Sequence, residues 1–480
     1  MRSQTAHAVG LALMLLAAAS ACDLLPPRQG PSRLDYEVAF IDGGGRLRVE
    51  VTVIDGPRPA AWVGFGVSPL GAESVSRAIV NVSARAAGGA ALPIRKVGED
   101  AYRVDIGDGG GPWVLGYEAE IGSPPAAYYH RASNASPDHL MLVGVDIWAR
   151  FYDFAAPVDA PPADRPLDDV ESARVRFDLA GLPPGWTVVS AAPERVLNEF
   201  ELDEHPARSA FAIGPYRLFD IDRDLGLRAA VHSDWHLARD RIIGYSQQLA
   251  RVQARQLGRP PGGPVLMIFT PFPAAVRPPD GARTAGMAWD RTLLLYGGLA
   301  RAAPHDSGRL GEMIAVFLGH ELFHLYVPWG LPITRPLSWL SEGWAEHVGR
   351  SSAVAAGILS AGGAERSLRD AYERYRQMGG ARAGSLQNAS ESGEELRELL
   401  YLRGELVFRI LSLEWEEAGK PGTFNGVLWS RLQTEYDGEH PLEPEAVSRV
   451  LSAMVNPLTV RRIVDGAAAI TLPELALGRR

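Results

Sequence analysis

The sequence predicts an α+β protein: a β-sandwich over residues 34–217, then a domain over 218–480 with a small β-sheet and a mostly helical C-terminal lobe. Three observations predict this. Short runs of alternating polarity, punctuated by Pro/Gly/Asp clusters, fill the first part, as in a sandwich. Two compact apolar runs in the second part, PVLMIF at 264–269 and RTLLLY at 291–296, read as buried strands. Beyond residue 308, apolar residues recur at helical spacing almost to the end.

The elements follow in chain order. Arg2 and a 12-residue apolar stretch, 8–19, form a signal-peptide pattern over residues 1–21, too short for the ~20 residues of a membrane span. Ala19-Ser20-Ala21 leads into Cys22, the only cysteine, and this resembles the bacterial lipobox, with Ala19 where Leu is usual. That resemblance implies lipidation at Cys22 and a lipid-anchored protein of the bacterial envelope facing the periplasm. Asp23 is similar to the residue that keeps some lipoproteins at the inner membrane. Residues 22–33 are rich in Pro and Gly and read as a tether. A hairpin follows, with strands 35–41 and 46–54 about the turn Asp42-Gly43-Gly44-Gly45. Further strands are expected at 78–82, 113–121, 140–148, 173–179 and 186–190. In the second domain Ser233 or Asp234 can cap a helix over 235–256, stopped by Gly258 and Pro260-Pro261. Helices are expected at 308–327, 339–357, 364–377, 393–418, 421–435 and 443–453, with a Gly/Ser-rich loop at 379–393.

Composition sets limits on function. A charge of −9 and a pI near 5.7 argue against nucleic-acid binding, which needs a basic face. One cysteine allows neither an internal disulfide nor a Cys-built zinc site. Lys96 and Lys420 are the only lysines among 48 basic residues, a bias of GC-rich bacterial genomes.

The chemistry is concentrated in His320-Glu321-Leu322-Phe323-His324. Two histidines at i and i+4 share one helical face and can reach one cation. The intervening Glu321 is placed to take a proton from water beside that cation. Pro328 stops the helix, and eighteen residues after His324 a second helix brings Glu342, within WLSEGWAE at 339–346. Two His and one Glu leave a fourth coordination position open, the arrangement of a catalytic zinc site. Glu346, one turn beyond Glu342, either accepts a proton from a ligand histidine or is a solvated charge. His232 and His236 are also four apart, without an acid at hand; His305 and His347 are expected at the surface or behind the ligands.

These residues resemble the gluzincin metallopeptidases. WLSEGWAE is similar to the aminopeptidase N and leukotriene-A4 hydrolase family, and more so to the glycyl aminopeptidase family. The resemblance covers about 170–475, most strongly 320–346, and no PDZ module is expected after it. It implies a thermolysin-like catalytic domain holding one Zn²⁺ through His320, His324 and Glu342, with Glu321 as general base and a peptide or protein as substrate. Tyr401-Leu402-Arg403-Gly404 is similar to the family's Y-x-K/R-G segment, which implies that Tyr401 stabilises an oxyanion; Tyr401 could also simply pack. The family's amine-gripping segment corresponds to Gly286, Met287 and Ala288 on an expected edge strand, with Ala288 where the glutamate stands. Without that carboxylate, N-blocked or internal peptides are expected to be cut at least as well as free aminoacyl ones. The rival readings are a non-peptide hydrolase using the same site, and an inactive tethered binding or assembly protein.

Overall fold

The computed structural model describes residues 31–475, except 56–59, 66–78, 99–100, 108–110, 123–132, 153–169, 171, 204, 236–238, 273–282, 299–307, 381–384, 387–389, 391–393, 439 and 467. The signal sequence, Cys22, His236 and His305 therefore lie outside the described residues.

The N-terminal part is a sandwich. One layer is a seven-stranded sheet in the order Glu194–Val196, Glu199–Leu202, Ser172–Asp178, Arg33–Ile41, Arg46–Ile54, Trp113–Glu120 and Ile79–Ala86. The other layer holds two four-stranded sheets, one built on Ala60–Phe65 and one on Ala210–Gly214 paired with Leu140–Val143. The apolar faces of all three meet in one core: Val38, Val49 and Leu115 of the first layer pack with Val63, Leu142 and Phe211 of the second.

The run expected as one strand over 140–148 is interrupted. The strand ends at Val143, and Gly144–Ile147 makes a single helical turn. That turn buries Asp146, whose Oδ2 accepts from the Ser133 backbone N–H at 2.6 Å, while Oδ1 has no partner. Burial pushes its carboxyl up to about 6. A carboxyl raised above its unfolded value of ~3.9 stabilises the fold most below that value, and the contribution is lost as pH rises through 6. Asp146→Asn should therefore gain up to about 3 kcal/mol over wild type above pH 7 and lose that advantage near pH 4. Thermal melts of both proteins across that range check the sign.

A fourth sheet begins at Tyr216. Its strands are β1 (Tyr216–Asp222), β2 (Leu227–His232), β3 (Val265–Pro271), β4 (Arg283–Trp289) and β5 (Thr292–Gly298), in the order β1-β2-β3-β5-β4. Its centre is buried on both faces, so its strands read as continuous apolar runs. Leu266, Ile268, Leu294 and Tyr296 pack against Met141, Val143 and Ala212 of the sandwich. Met267, Phe269, Leu293 and Leu295 face the helices α1 (Arg239–Leu257) and α2 (Gly308–Phe323) through Leu249, Ala315, Leu318 and Leu322. The sheet is thus clamped between sandwich and helices, with β4 at its outer edge.

The helical lobe follows: α3 (Ser338–Ala355), α4 (Ala361–Gln377), α5 (Glu394–Glu417), α6 (Phe424–Glu435), α7 (Pro444–Met454) and α8 (Pro457–Ile463), the last not among the expected helices. Its core is built from Trp339, Trp344, Phe408, Leu411, Trp429 and Leu451. Where α2, α3 and α5 cross, glycines let backbones touch. A Cβ on Gly349 of α3 would stand 2.8 Å from the His320 backbone nitrogen, and one on Gly343 would stand 2.4 Å from Gly404 Cα of α5. Both contacts lie beside residues of the candidate site, so the helix spacing that brings its side chains together depends on them.

A candidate metal centre in the cleft

α2 was expected to run to 327 but ends at Phe323; His324 opens a tight turn in which its N–H donates to the Glu321 carbonyl at 3.2 Å. The i, i+4 relation survives, and the two imidazoles meet with Nε2 atoms 3.1 Å apart. α3 crosses beneath and supplies Glu342, whose Oε2 lies 3.4 Å from His320 Nε2 and 3.5 Å from His324 Nε2.

The donor set fits a metal ion. Tetrahedral zinc with bonds of ~2.0–2.1 Å holds its ligand atoms about 3.3–3.4 Å apart. The triangle of 3.1, 3.4 and 3.5 Å matches one face of such a tetrahedron. Glu342 Oε2 is buried with no hydrogen-bond donor, the condition of an atom reserved for a cation. Among the described residues, this is the one group of three or more His, Cys, Asp or Glu side chains so arranged.

Neighbouring groups turn the rings the right way. His324 Nδ1 lies 3.0 Å from the Val327 carbonyl, which can only accept, so the proton sits on Nδ1 and the Nε2 lone pair points into the triangle. Ser341 Oγ donates to the same carbonyl at 3.2 Å. His320 Nδ1 faces Glu346 Oε1 at 3.4 Å, which favours the same tautomer. Glu346 thus stands behind His320, with its side chain part-buried. It also feels Arg350, whose guanidinium is forked onto the Glu405 carboxylate.

Burial disfavours a charged imidazole, but Glu342 and Glu346 outweigh it and hold His320 well above the ordinary value. Burial would lift Glu342, yet His324 and His320 keep it far below the usual carboxylate range. Glu321 goes the other way: burial raises it, with the histidines opposing only in part. Glu342 is held ionised by the histidines beside it, and Glu321 is made more basic.

Glu321 is pressed against the β4 backbone. A Cβ on Gly286 would stand 2.4 Å from Glu321 Oε1, so only glycine leaves that carboxylate its place. Met287 and Ala288 follow on the same strand, lining the cleft with Gly286. The Ala288 carbonyl accepts from the Trp329 indole at 3.0 Å. Asp290, the nearest acid in sequence, is paired with Arg291 at 3.2 Å.

Tyr401 of α5 lies across the cleft, its ring stacked on His320 at 5.8 Å between centroids and 17° between planes. Burial pushes its phenol well up, keeping the proton on, and Arg397 Nη2 donates to its oxygen at 3.4 Å. Arg403 does different work: fully buried, it donates to the carbonyls of Ile463 and Gly466 and pins the chain after α8. The whole site opens into a cleft of about 1950 Å³.

Outside it, His232 has both ring nitrogens engaged, by the Asp138 carbonyl at 2.9 Å and the Asp234 N–H at 3.1 Å. His347 is not at the surface; it is buried near Arg409 and Arg350, and burial lowers it to about 3. Ser341, Trp329 and Arg397 have no assigned role in the sequence reading. Only Ser341, adjacent to Glu342, lay within a motif that could have drawn notice.

No protein-family model matches the chain, and no curated protein does. Solved structures match over most of its length. An aminopeptidase N family protein from Idiomarina loihiensis has a TM-score of 0.76 at 14 % identity, over 92 % of this chain and 78 % of that one. An M1 zinc metallopeptidase from Deinococcus radiodurans has a TM-score of 0.56 at 16 % identity, over 92 % and 96 %. A variant of the latter with a Tyr-Ser-Ala substrate bound has a TM-score of 0.58 at 14 % identity, over 93 % and 96 %. The chain therefore has the two-part fold of these zinc metallopeptidases.

Proposed function

We propose that the protein is a zinc-dependent peptidase. The observation that carries this reading is the convergence of His320, His324 and Glu342 on one point, with a basic, buried Glu321 beside it. The shared fold with M1 zinc metallopeptidases supports it. His320, His324 and Glu342 would hold the ion, which when bound supplies a Lewis acid for the scissile carbonyl and for water.

The chain's own residues perform the proton transfers. Glu321 takes a proton from the attacking water and returns it to the leaving nitrogen. Tyr401 donates its phenolic proton toward the oxygen on which charge develops. Glu346 and the Val327 carbonyl keep Nδ1 of His320 and His324 protonated, so that both Nε2 lone pairs face the ion. Ala288 offers no carboxylate to a substrate amine, and the reading includes peptides whose amino terminus is blocked. It also includes an envelope protein anchored through a lipid on Cys22, which labelling with a radioactive fatty acid would detect in wild type and not in Cys22→Ser.

The purified protein should carry about one zinc per chain and hydrolyse peptides, and His324→Ala should lose both. Elemental analysis alongside a peptide-digestion assay tests this. Full zinc content in His324→Ala would overturn the ligand assignment, and zinc without hydrolysis of any peptide would overturn the activity.

A further inference from the structure

We propose that Trp329 closes one end of the substrate edge, so that the enzyme cuts peptides within about two residues of a terminus. This rests on the peptide-hydrolase reading above. β4 is the outer strand of its sheet, and a two-residue turn, Asp290-Arg291, joins it to β5, with Asp290 at φ 48°. Trp289 and Thr292 flank that turn as direct partners. In such a hairpin the flanking pair exchanges both backbone hydrogen bonds, and every second residue does the same. The backbone groups of Trp289, Met287 and Ala285 are therefore spent on β5, and those of Ala288, Gly286 and Thr284 point outward.

All of these residues line the cleft. An exposed strand edge binds an extended peptide by adding it as a further strand, through the outward N–H and C=O groups. Here one of those acceptors is already taken. The Trp329 indole N–H donates to the Ala288 carbonyl, its ring sits edge-to-face on Trp289 at 5.7 Å, and its own backbone N–H reaches the His324 carbonyl at 3.4 Å. A peptide running along Thr284 and Gly286 meets an occupied acceptor and an indole ring at Ala288.

The position of the scissile bond follows from Glu321. Its carboxylate lies on Gly286, so the bond it serves is level with Gly286. From Gly286 to Ala288 is two residues, ~7 Å at 3.3–3.4 Å per residue. That leaves room for one or two substrate residues on this side of the bond, while the other direction continues past Thr284. The Trp329 gate narrows the broader expectation that internal peptides are accepted.

The test compares zinc-loaded wild type, Trp329→Phe and Trp329→Ala on one cleavable sequence. That sequence is placed either at each end or in the middle of a twenty-residue peptide, and products are read by mass spectrometry. Phe keeps the packing but removes the N–H donor; Ala removes both. Wild type should cut within two residues of one terminus at least a hundredfold faster than in the middle. Trp329→Ala should raise the central-to-terminal ratio at least tenfold, with Trp329→Phe in between. Efficient central cleavage by wild type would overturn the proposal. So would an unchanged ratio in both variants at full zinc content. A zinc-loaded wild type that cuts no peptide at all would instead remove the peptidase reading on which this one stands.

Discussion

Glu321→Gln should retain its zinc and lose peptide turnover by roughly 10²–10⁴-fold, the range expected when a positioned general base is removed. The ligand triangle does not include Glu321, so metal content is untouched. The amide is also the same size as the carboxylate and fits the space over Gly286, where even a methyl group would intrude. What disappears is a carboxylate that burial makes a better proton acceptor than an exposed one. The measurement is kcat/KM on a short peptide with zinc determined on the same sample. Turnover within a factor of a few of wild type would show that another group takes the proton. The inactive binding-protein reading would be favoured if wild type and variant were equally inert.

The sequence revealed the site more fully than the fold. His320, His324 and Glu342 were legible because a helix repeats every 3.6 residues: spacing alone places two rings on one face. Glu346 was ambiguous, since helical position says which face a carboxylate shares but not what lies opposite; the structure places His320 there. Strands such as Arg46–Ile54 were legible because only one face is buried, which writes an alternating pattern. Ala60–Phe65 and Ala210–Gly214 are buried throughout and carry Ala and Gly, so no alternation marks them. Tyr216–Asp222 hides for the opposite reason: most of its middle is exposed, and it reads as a polar connection.

What stayed hidden about the site is tertiary. Trp329 bonds to Ala288 across 41 positions, and Arg350 to Glu405 across 55, contacts that no local pattern encodes. The glycines at the helix crossings were visible within their motifs, but their meaning was not. Gly343 and Gly404 face each other only because α3 and α5 cross there, and the same crossing brings Glu342 to the Nε2 edge of His320 and Tyr401 onto its ring face.

That placement makes Tyr401→Phe the second large effect. The ring is held by its stack on His320, and Phe keeps that stack, so folding and zinc binding should be preserved. The hydroxyl is what changes. Arg397 donates to the phenol oxygen, and a guanidinium has no lone pair to accept in return, so the phenol's own proton is left to point elsewhere. The phenol, part-buried and raised well above its ordinary value by desolvation, keeps that proton at any working pH; in the proposed reaction it donates it to charge developing on the substrate. Removing one such donor costs about 10²–10³ in rate. Because the interaction forms only as charge develops, kcat and kcat/KM should fall together while KM stays nearly constant. Steady-state kinetics on the same peptide, with zinc content as control, decide it. A Phe variant within threefold of wild type would mean that Tyr401 serves only to pack against His320. A rise in KM at constant kcat would instead assign the hydroxyl to substrate binding rather than to the oxyanion.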